Sequence, residues 1–288
     1  MPSCLMSGPG CCSAMPRSDA GTGWFDRFFG SRQPARWLLE RATQRSAETG
    51  SSPGELLADF RSRLEAGEPL QYVLGSWSFR GREIVVDRSV LIPRPETEML
   101  VEVVLERLDR KKEYRILDLG TGSGAIAIAL AAERCKATVV AIEASEPAFR
   151  IALQNVGANR LSRQIEVRLG SWFTPVAGER FDCICSNPPY ISTADYWRLD
   201  SIVRDFEPQE ALLAGSTGLE AYETIASNLG DHLNPGGFAA FEVGDGQPDA
   251  VAELLRKAGL SEIEVRLDLA GRERFVIASA PSAGVPAS

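Results

Sequence analysis

The chain of 288 residues exceeds one average domain and is too short for three, and its 44% hydrophobic and 24% charged residues are those of an ordinary globular protein. With 31 basic against 39 acidic side chains the net charge is −8, which excludes a broad phosphate-gripping surface, and a single histidine excludes a His-based triad or a multi-histidine metal centre. The one apolar run, 122–132, falls well short of the roughly 20 residues that a spanning helix needs, so no membrane contact and no metal are expected.

From Met1 to about Thr22 the chain is rich in Gly, Ser and Pro, carries Cys4, Cys11 and Cys12, and lacks an apolar core of signal-peptide length. A disordered head over 1–22 is expected. No Cys-x-x-Cys pair occurs, and Cys135, Cys183 and Cys185 fall in expected regular structure, which points to a reducing, cytoplasmic compartment. From Trp24 to Gly75 the pattern is helical: Phe25, Phe28 and Phe29 recur at spacings of three and four, and Trp37, Leu38 and Leu39 open a second apolar face. A third helix starts with Ser52 as N-cap, Pro53 in the first helical position and Glu55 completing a capping box, with Gly67 as its stop. Residues 23–75 are therefore a small helical module.

Residues 77–92 read as a strand pair turning near Gly81, ended by Pro93 and Pro95, so 76–95 is expected to be a hairpin linker. Beyond it, over 96–288, the pattern alternates. Helices are expected at 96–109, 123–133, 146–158, 218–231 and 248–259, and strands at 114–119, 138–143, 164–169, 181–186, 238–243, 262–267 and 274–279. Such alternation implies an α/β fold, a mostly parallel, doubly wound sheet covered by helices on both faces.

Three segments at strand ends carry the chemistry. After strand 114–119 comes Gly120-Thr121-Gly122-Ser123-Gly124, whose alternating glycines let a ligand approach the backbone just before a helix N-terminus with free N–H groups. Glu143 ends the next strand, 25 residues after Asp118, near the spacing at which a carboxylate accepts ribose hydroxyls. The Gly-x-Gly-x-x-Gly spacing of a dinucleotide site is absent. Third, Asn187-Pro188-Pro189-Tyr190 follows strand 181–186. There the Pro188 carbonyl and the Asn187 side-chain oxygen form two converging acceptors suited to one planar NH2 group, and Tyr190 can stack on its plane. Cys183 and Cys185 read as core packing, His232 as a helix-end or solvent-facing residue, Glu96 and Glu98 as a favourable helix first turn, and Glu207 as a residue that could orient a loop near the substrate.

Asp118-Leu-Gly-Thr-Gly-Ser-Gly124 with Asn187-Pro-Pro-Tyr190 resembles the class I S-adenosylmethionine-dependent methyltransferases that modify planar amino groups. Pro69-Leu-Gln-Tyr-Val-Leu-Gly75, Leu91-Ile-Pro-Arg-Pro-Glu-Thr-Glu98, Phe206-Glu-Pro208 and Gly271-Arg-Glu-Arg-Phe275 narrow the resemblance to the release-factor glutamine methyltransferases across about 23–280. That resemblance implies a seven-stranded methyltransferase domain behind a helical domain that docks the substrate. It implies S-adenosyl-L-methionine as cofactor, held by Gly120, Thr121, Gly122, Ser123, Gly124, Glu143, Ser171, Trp172 and Asn187. Asn187, Pro188, Pro189 and Tyr190 would bind the substrate, with Asn187, Pro188 and Tyr190 as the catalytic set. The acceptor would be the glutamine of the Gly-Gly-Gln motif in peptide-chain release factors, the enzyme a cytoplasmic monomer without stable nucleic-acid contact. Family members usually carry Asp where Ser171 stands, which would alter the adenine-edge contact. The alternative is methylation of the exocyclic amino group of adenine or guanine, likewise a planar NH2.

Overall fold

The computed structural model describes residues 23–282; the expected head over 1–22, with Cys4, Cys11 and Cys12, lies outside the described residues. The chain divides into two compact units between Ala66 and Gly67.

The first unit contains α1 (Gly23–Phe29), α2 (Arg32–Thr49) and α3 (Pro53–Glu65). Spacings of three and four put Ala35, Leu38 and Ala42 of α2, and Leu57, Phe60 and Leu64 of α3, on buried stripes, whereas Leu39 is 40% exposed. The second apolar face of α2 is thus narrower than the Trp37-Leu38-Leu39 run implied. Gly50 closes α2 in the left-handed conformation, and Ser52 with Glu55 forms the reciprocal capping box.

In the second unit α4 (Leu70–Leu74) leads into a hairpin, β1 (Ser76–Phe79) and β2 (Arg82–Val85), and then α5 (Pro95–Arg107). The hairpin is shorter than expected, and it is bolted to the body of its unit. At its turn Arg80 takes a positive φ of 46° and pairs with Glu102 of α5 and with Glu133. Tyr72 of α4 donates to the Val90 carbonyl at 2.6 Å, so α4 packs with this unit, although the sequence pattern continues the helical run of 23–75 through it.

The remaining elements alternate: β3 (Tyr114–Leu119), α6 (Ala125–Glu133), β4 (Ala137–Glu143), α7 (Glu146–Ala158), β5 (Ile165–Leu169), β6 (Phe181–Ser186), β7 (Ile191–Ser192), α8 (Thr193–Tyr196), α9 (Ser201–Arg204), β8 (Leu213–Gly215), α10 (Glu220–His232), β9 (Leu233–Glu242), α11 (Pro248–Lys257), β10 (Ser261–Leu267) and β11 (Glu273–Ser279). Seven strands form one sheet in the order β10-β11-β9-β6-β3-β4-β5, in which β11 alone runs antiparallel, to both of its neighbours β10 and β9. Successive residues of β3 face opposite layers: Ile116 packs under α5, α6 and α7, Leu117 and Leu119 under α10 and α11. The chain runs outward from β3 through β4 to β5, then crosses to β6 on the other side of β3. The strand order therefore reverses between β3 and β6, which opens a crevice beyond their carboxyl ends.

Two expectations are corrected here, and of the two readings of His232 the helix end is met while exposure is not. The strand expected at 238–243 begins at Leu233, which pairs with Phe181 before Asn234–Gly237 bulge out of register; a Cβ on Gly237 would lie 2.9 Å from the Asn234 and Asp182 carbonyl oxygens. His232 does not face solvent: it ends α10 buried, stacked on Phe173 at 4.5 Å, and its Nδ1 donates to the Glu179 carbonyl. Cys135 lies in an exposed turn after α6, while Cys183 and Cys185 are fully buried on β6.

Candidate active site

A cavity of about 360 Å³ occupies the crevice between β3 and β6. This is the size of a small-molecule site. It is walled by the glycine loop after β3, the end of β4, the 170–172 turn after β5, the Asn187 loop after β6, and two flanking segments at 89–97 and 208–211.

The glycine loop has its shape because Gly120, Gly122 and Gly124 all adopt left-handed φ, at 68°, 55° and 83°. A Cβ on Gly120 would meet the Trp172 ring at 3.7 Å and one on Gly124 would meet Ala152 at 3.6 Å, whereas one on Gly122 would find no protein atom within 4 Å. Gly122 is thus the point at which the loop leaves room for something else. Beneath it Asp118 is buried and accepts the Thr121 hydroxyl at 2.5 Å; burial pushes its carboxyl up to about 7, against the lowering effect of that hydrogen bond. Asn155 of α7, also buried, braces the wall from behind. Its Nδ2 donates to the Ser123 carbonyl at 2.8 Å and the Val85 carbonyl at 2.9 Å, and its Oδ1 accepts the Val85 N–H at 2.7 Å.

Glu143 lines the cavity with each oxygen already accepting one backbone N–H, from Gly122 at 2.8 Å and from Ser145 at 2.9 Å. Each carboxylate oxygen keeps a second lone pair for a ligand. Ser171 and Trp172 also line the cavity, Trp172 at a positive φ of 46°.

Among the residues singled out from the sequence, the cavity brings together Gly120, Thr121, Gly122, Ser123, Glu143, Ser171, Trp172, Asn187 and Pro189. Gly124, Pro188 and Tyr190 are not in its lining. Gly124 caps α6 below the loop, Pro188 is buried, and Tyr190 packs by its ring edge toward Gly244 while its carbonyl accepts Gln247 Nε2 at 2.9 Å. Burial pushes the Tyr190 hydroxyl up to about 12, so it stays protonated at any working pH.

Three further residues contribute here that are not singled out as site residues in the sequence, although Arg94 and Thr97 fall within the Leu91–Glu98 segment. Thr97, between Glu96 and Glu98, reaches the cavity and accepts Asn187 Nδ2 at 3.1 Å, while its own hydroxyl donates to Glu242 at 2.7 Å. Glu242 is buried at the end of β9; burial pushes its carboxyl up to about 7, opposed by the Thr97 hydroxyl and by Arg274. Arg94 pairs with Glu207, which also accepts the Ile92 N–H at 3.2 Å and so ties the loop before 208–211 to the Pro93-Arg94-Pro95 turn.

The methyltransferase small domain model matches residues 96–205. The chain is 40% identical over 245 residues to the release factor glutamine methyltransferase of Xylella fastidiosa, covering 85% of this chain and 87% of that protein. To the protein of the same name from Gloeobacter violaceus it is 43% identical over 231 residues, covering 80% and 81%. Among solved structures, a methyltransferase from Pyrococcus furiosus superposes with a TM-score of 0.52 at 20% identity, covering 78% of this chain and 99% of its own. The T. thermophilus 16S rRNA N2 G1207 methyltransferase, solved with AdoMet and guanosine, gives 0.52 at 19%, covering 71% and 49%. At such identities these two structures establish the class I fold alone.

Proposed function

The chain belongs to the release factor glutamine methyltransferase family, and from that premise we propose that it transfers a methyl group from S-adenosyl-L-methionine to the side-chain amide nitrogen of the glutamine in the Gly-Gly-Gln motif of peptide-chain release factors. The observation that carries this reading is one cavity walled both by the glycine loop and by the Asn187 loop, a cofactor cradle and a holder for a planar NH2 group side by side.

The donor set suits the cofactor. Loop 120–124 with its open space at Gly122 would hold the amino-acid part, Glu143 the ribose, and Trp172 the adenine face, with Ser171 in place of an acidic edge contact. Bound there, S-adenosylmethionine supplies an electrophilic methyl group on a sulfonium. A carboxamide nitrogen is a poor nucleophile because its lone pair is delocalised, so the protein gains more from positioning it than from a strong base. Asn187 Oδ1 at the cavity wall takes one hydrogen of the NH2, and the carbonyl of Pro188, a residue outside the lining but between the lining residues Asn187 and Pro189, takes the other. Positive charge on that nitrogen grows as its bond to the methyl carbon forms and the sulfur–methyl bond breaks, the two acceptors stabilise it more there than before, and one N–H proton leaves afterwards to restore the neutral amide. The helices of 23–75 serve in this reading as the docking surface for the release factor, and the enzyme acts as a cytoplasmic monomer. No helix among the described residues is long and apolar enough to cross a membrane.

The test is transfer of labelled methyl from the cofactor to purified release factor and to DNA or RNA in parallel. Label on the Gln of the Gly-Gly-Gln segment, located by peptide mass analysis, is expected; label on a nucleobase instead would overturn the proposal. A second prediction concerns the ribose contact. Glu143→Ala should weaken cofactor binding by about 1.5–3 kcal/mol, the usual size of a hydrogen bond to a charged group. The same change frees the Gly122 and Ser145 N–H groups, which loosens the loop and adds to the loss. Calorimetry on the folded variant decides, and a loss under about twofold would place the ribose elsewhere.

A further inference from the structure

Asn187 has two ends that differ in chemistry but hardly in shape, and only its oxygen end can accept hydrogen bonds from an NH2 group. Among the described residues Oδ1 takes no hydrogen bond, whereas Nδ2 donates to Thr97 Oγ1 at 3.1 Å. The Thr97 hydroxyl has a single proton, and that proton is committed to Glu242 Oε2 at 2.7 Å. Thr97 can then offer Asn187 only lone pairs. Facing a group that only accepts, Asn187 must turn its NH2 end toward Thr97 and its oxygen away from it. We infer that Thr97 and Glu242 are positioning residues that fix the side-chain amide of Asn187 with its oxygen presented to the substrate, an inference that rests on the proposed transfer to a carboxamide NH2.

The three residues come from three distant parts of the chain: the first turn of α5, the loop after β6, and the end of β9. Thr97 is 5% and Glu242 2% exposed, so no bulk water competes for the relay. A threonine on a helix usually returns its hydroxyl to a carbonyl three or four residues back. Here the carbonyl three residues back, at the N-cap Arg94, accepts the Thr97 N–H at 3.1 Å, and the hydroxyl reaches β9 instead.

The direction of the relay depends on Glu242 being an acceptor. Protonated, Glu242 can donate to Thr97, whose own proton is then free for Asn187; this arrangement stabilises the amide with its NH2 end toward the substrate, where it repels another NH2. The groups acting on Glu242 from the elements around it are Arg274 on β11, Arg94 and Glu96 at the start of α5, Tyr190 in the loop after β6 and Tyr222 on α10. With its carboxyl pushed up to about 7 by burial, the productive arrangement holds above that pH and is lost below it.

The experiment compares wild type, Thr97→Val and Thr97→Ser in full-length enzyme, measuring kcat, KM for release factor and cofactor affinity across pH 6–9, together with NMR of the Asn187 side-chain amide assigned against Asn187→Ala. Thr97→Val should lower kcat about fivefold, as for the loss of one positioning hydrogen bond, with KM and cofactor affinity within about twofold. The inflection of kcat near neutral pH should disappear with it. Thr97→Ser, which keeps the hydroxyl, should restore both kcat and inflection. In the free protein one Asn187 Nδ2 proton should exchange slowly in wild type and Thr97→Ser and quickly in Thr97→Val, a readout independent of any acceptor. An unchanged kcat, a loss confined to cofactor affinity, an inflection that survives in Thr97→Val, or an Asn187 amide insensitive to Thr97 would each overturn the inference. If the NMR result holds while wild type fails to methylate release factor, the proposed acceptor fails and the amide orientation stands.

Discussion

Asn187→Ala is expected to reduce single-turnover methyl transfer by ~100-fold or more, the range seen when one preorganised polar contact to a transition state is lost. The side chain stands half-buried at the cavity wall, held through Nδ2, so its oxygen needs no reorganisation as charge develops on the substrate nitrogen. Alanine removes one of the two acceptors and leaves the Pro188 carbonyl alone to orient the NH2, which can then rotate out of alignment. Release-factor affinity should change little, since a protein-sized docking surface is far larger than one side chain. Cofactor affinity should fall modestly if Asn187 also touches the methionine part. The assay is single-turnover transfer to purified release factor, with the product located by peptide mass analysis. Turnover near that of the parent would remove Asn187 from the reaction.

Gly122→Val should abolish cofactor binding without unfolding the protein. At φ 55° any L-residue is strained, and β-branching worsens it. The local cost is about 1–2 kcal/mol, small beside a domain stability of roughly 5–15 kcal/mol. No protein atom lies within 4 Å of the added Cβ, so the isopropyl group displaces ligand, not core. Gly120→Val and Gly124→Val differ in that their Cβ atoms would stand in van der Waals contact with Trp172 and Ala152, not in open space. Calorimetry paired with a thermal melt separates the cases, and unchanged cofactor affinity in folded Gly122→Val would refute the placement of the cofactor against this loop.

What could be read from the sequence follows the range of the forces involved. The strands β3, β4, β5 and β6 begin and end within a residue of expectation, since buried parallel strands are continuous apolar runs bounded by turn residues, and both signals are local. The glycine loop and the Asn187 loop were legible for the same reason: each is a short contiguous segment whose backbone demands fix its composition. The stretch 191–215 was not legible, because β7, α8, α9 and β8 are two to four residues long, too short to show a period. Nor could sequence find the partnership of Thr97 with Glu242, which joins residues 145 apart, or that of Ile92 with Glu207, 115 apart. Single polar contacts at such separations leave no trace in local pattern. Tyr190 shows a further limit: the motif suggests a ring stacked on the substrate, whereas the ring is absent from the cavity lining and edges toward Gly244.

Asn155 spends its side-chain amide on two segments, Val85 in the hairpin and Ser123 in the glycine loop, that lie 70 and 32 residues away along the chain. Neither segment is therefore an interchangeable part. A hairpin or a glycine loop grafted in from another methyltransferase would find its counterpart already committed to this one amide, and it would seat correctly only if it brought the same spacing between carbonyl and N–H. Substituting Asn155 would unpair three backbone groups in two places at once. Recombination within the fold is thus confined to exchanges that move hairpin, loop and α7 as a single cassette.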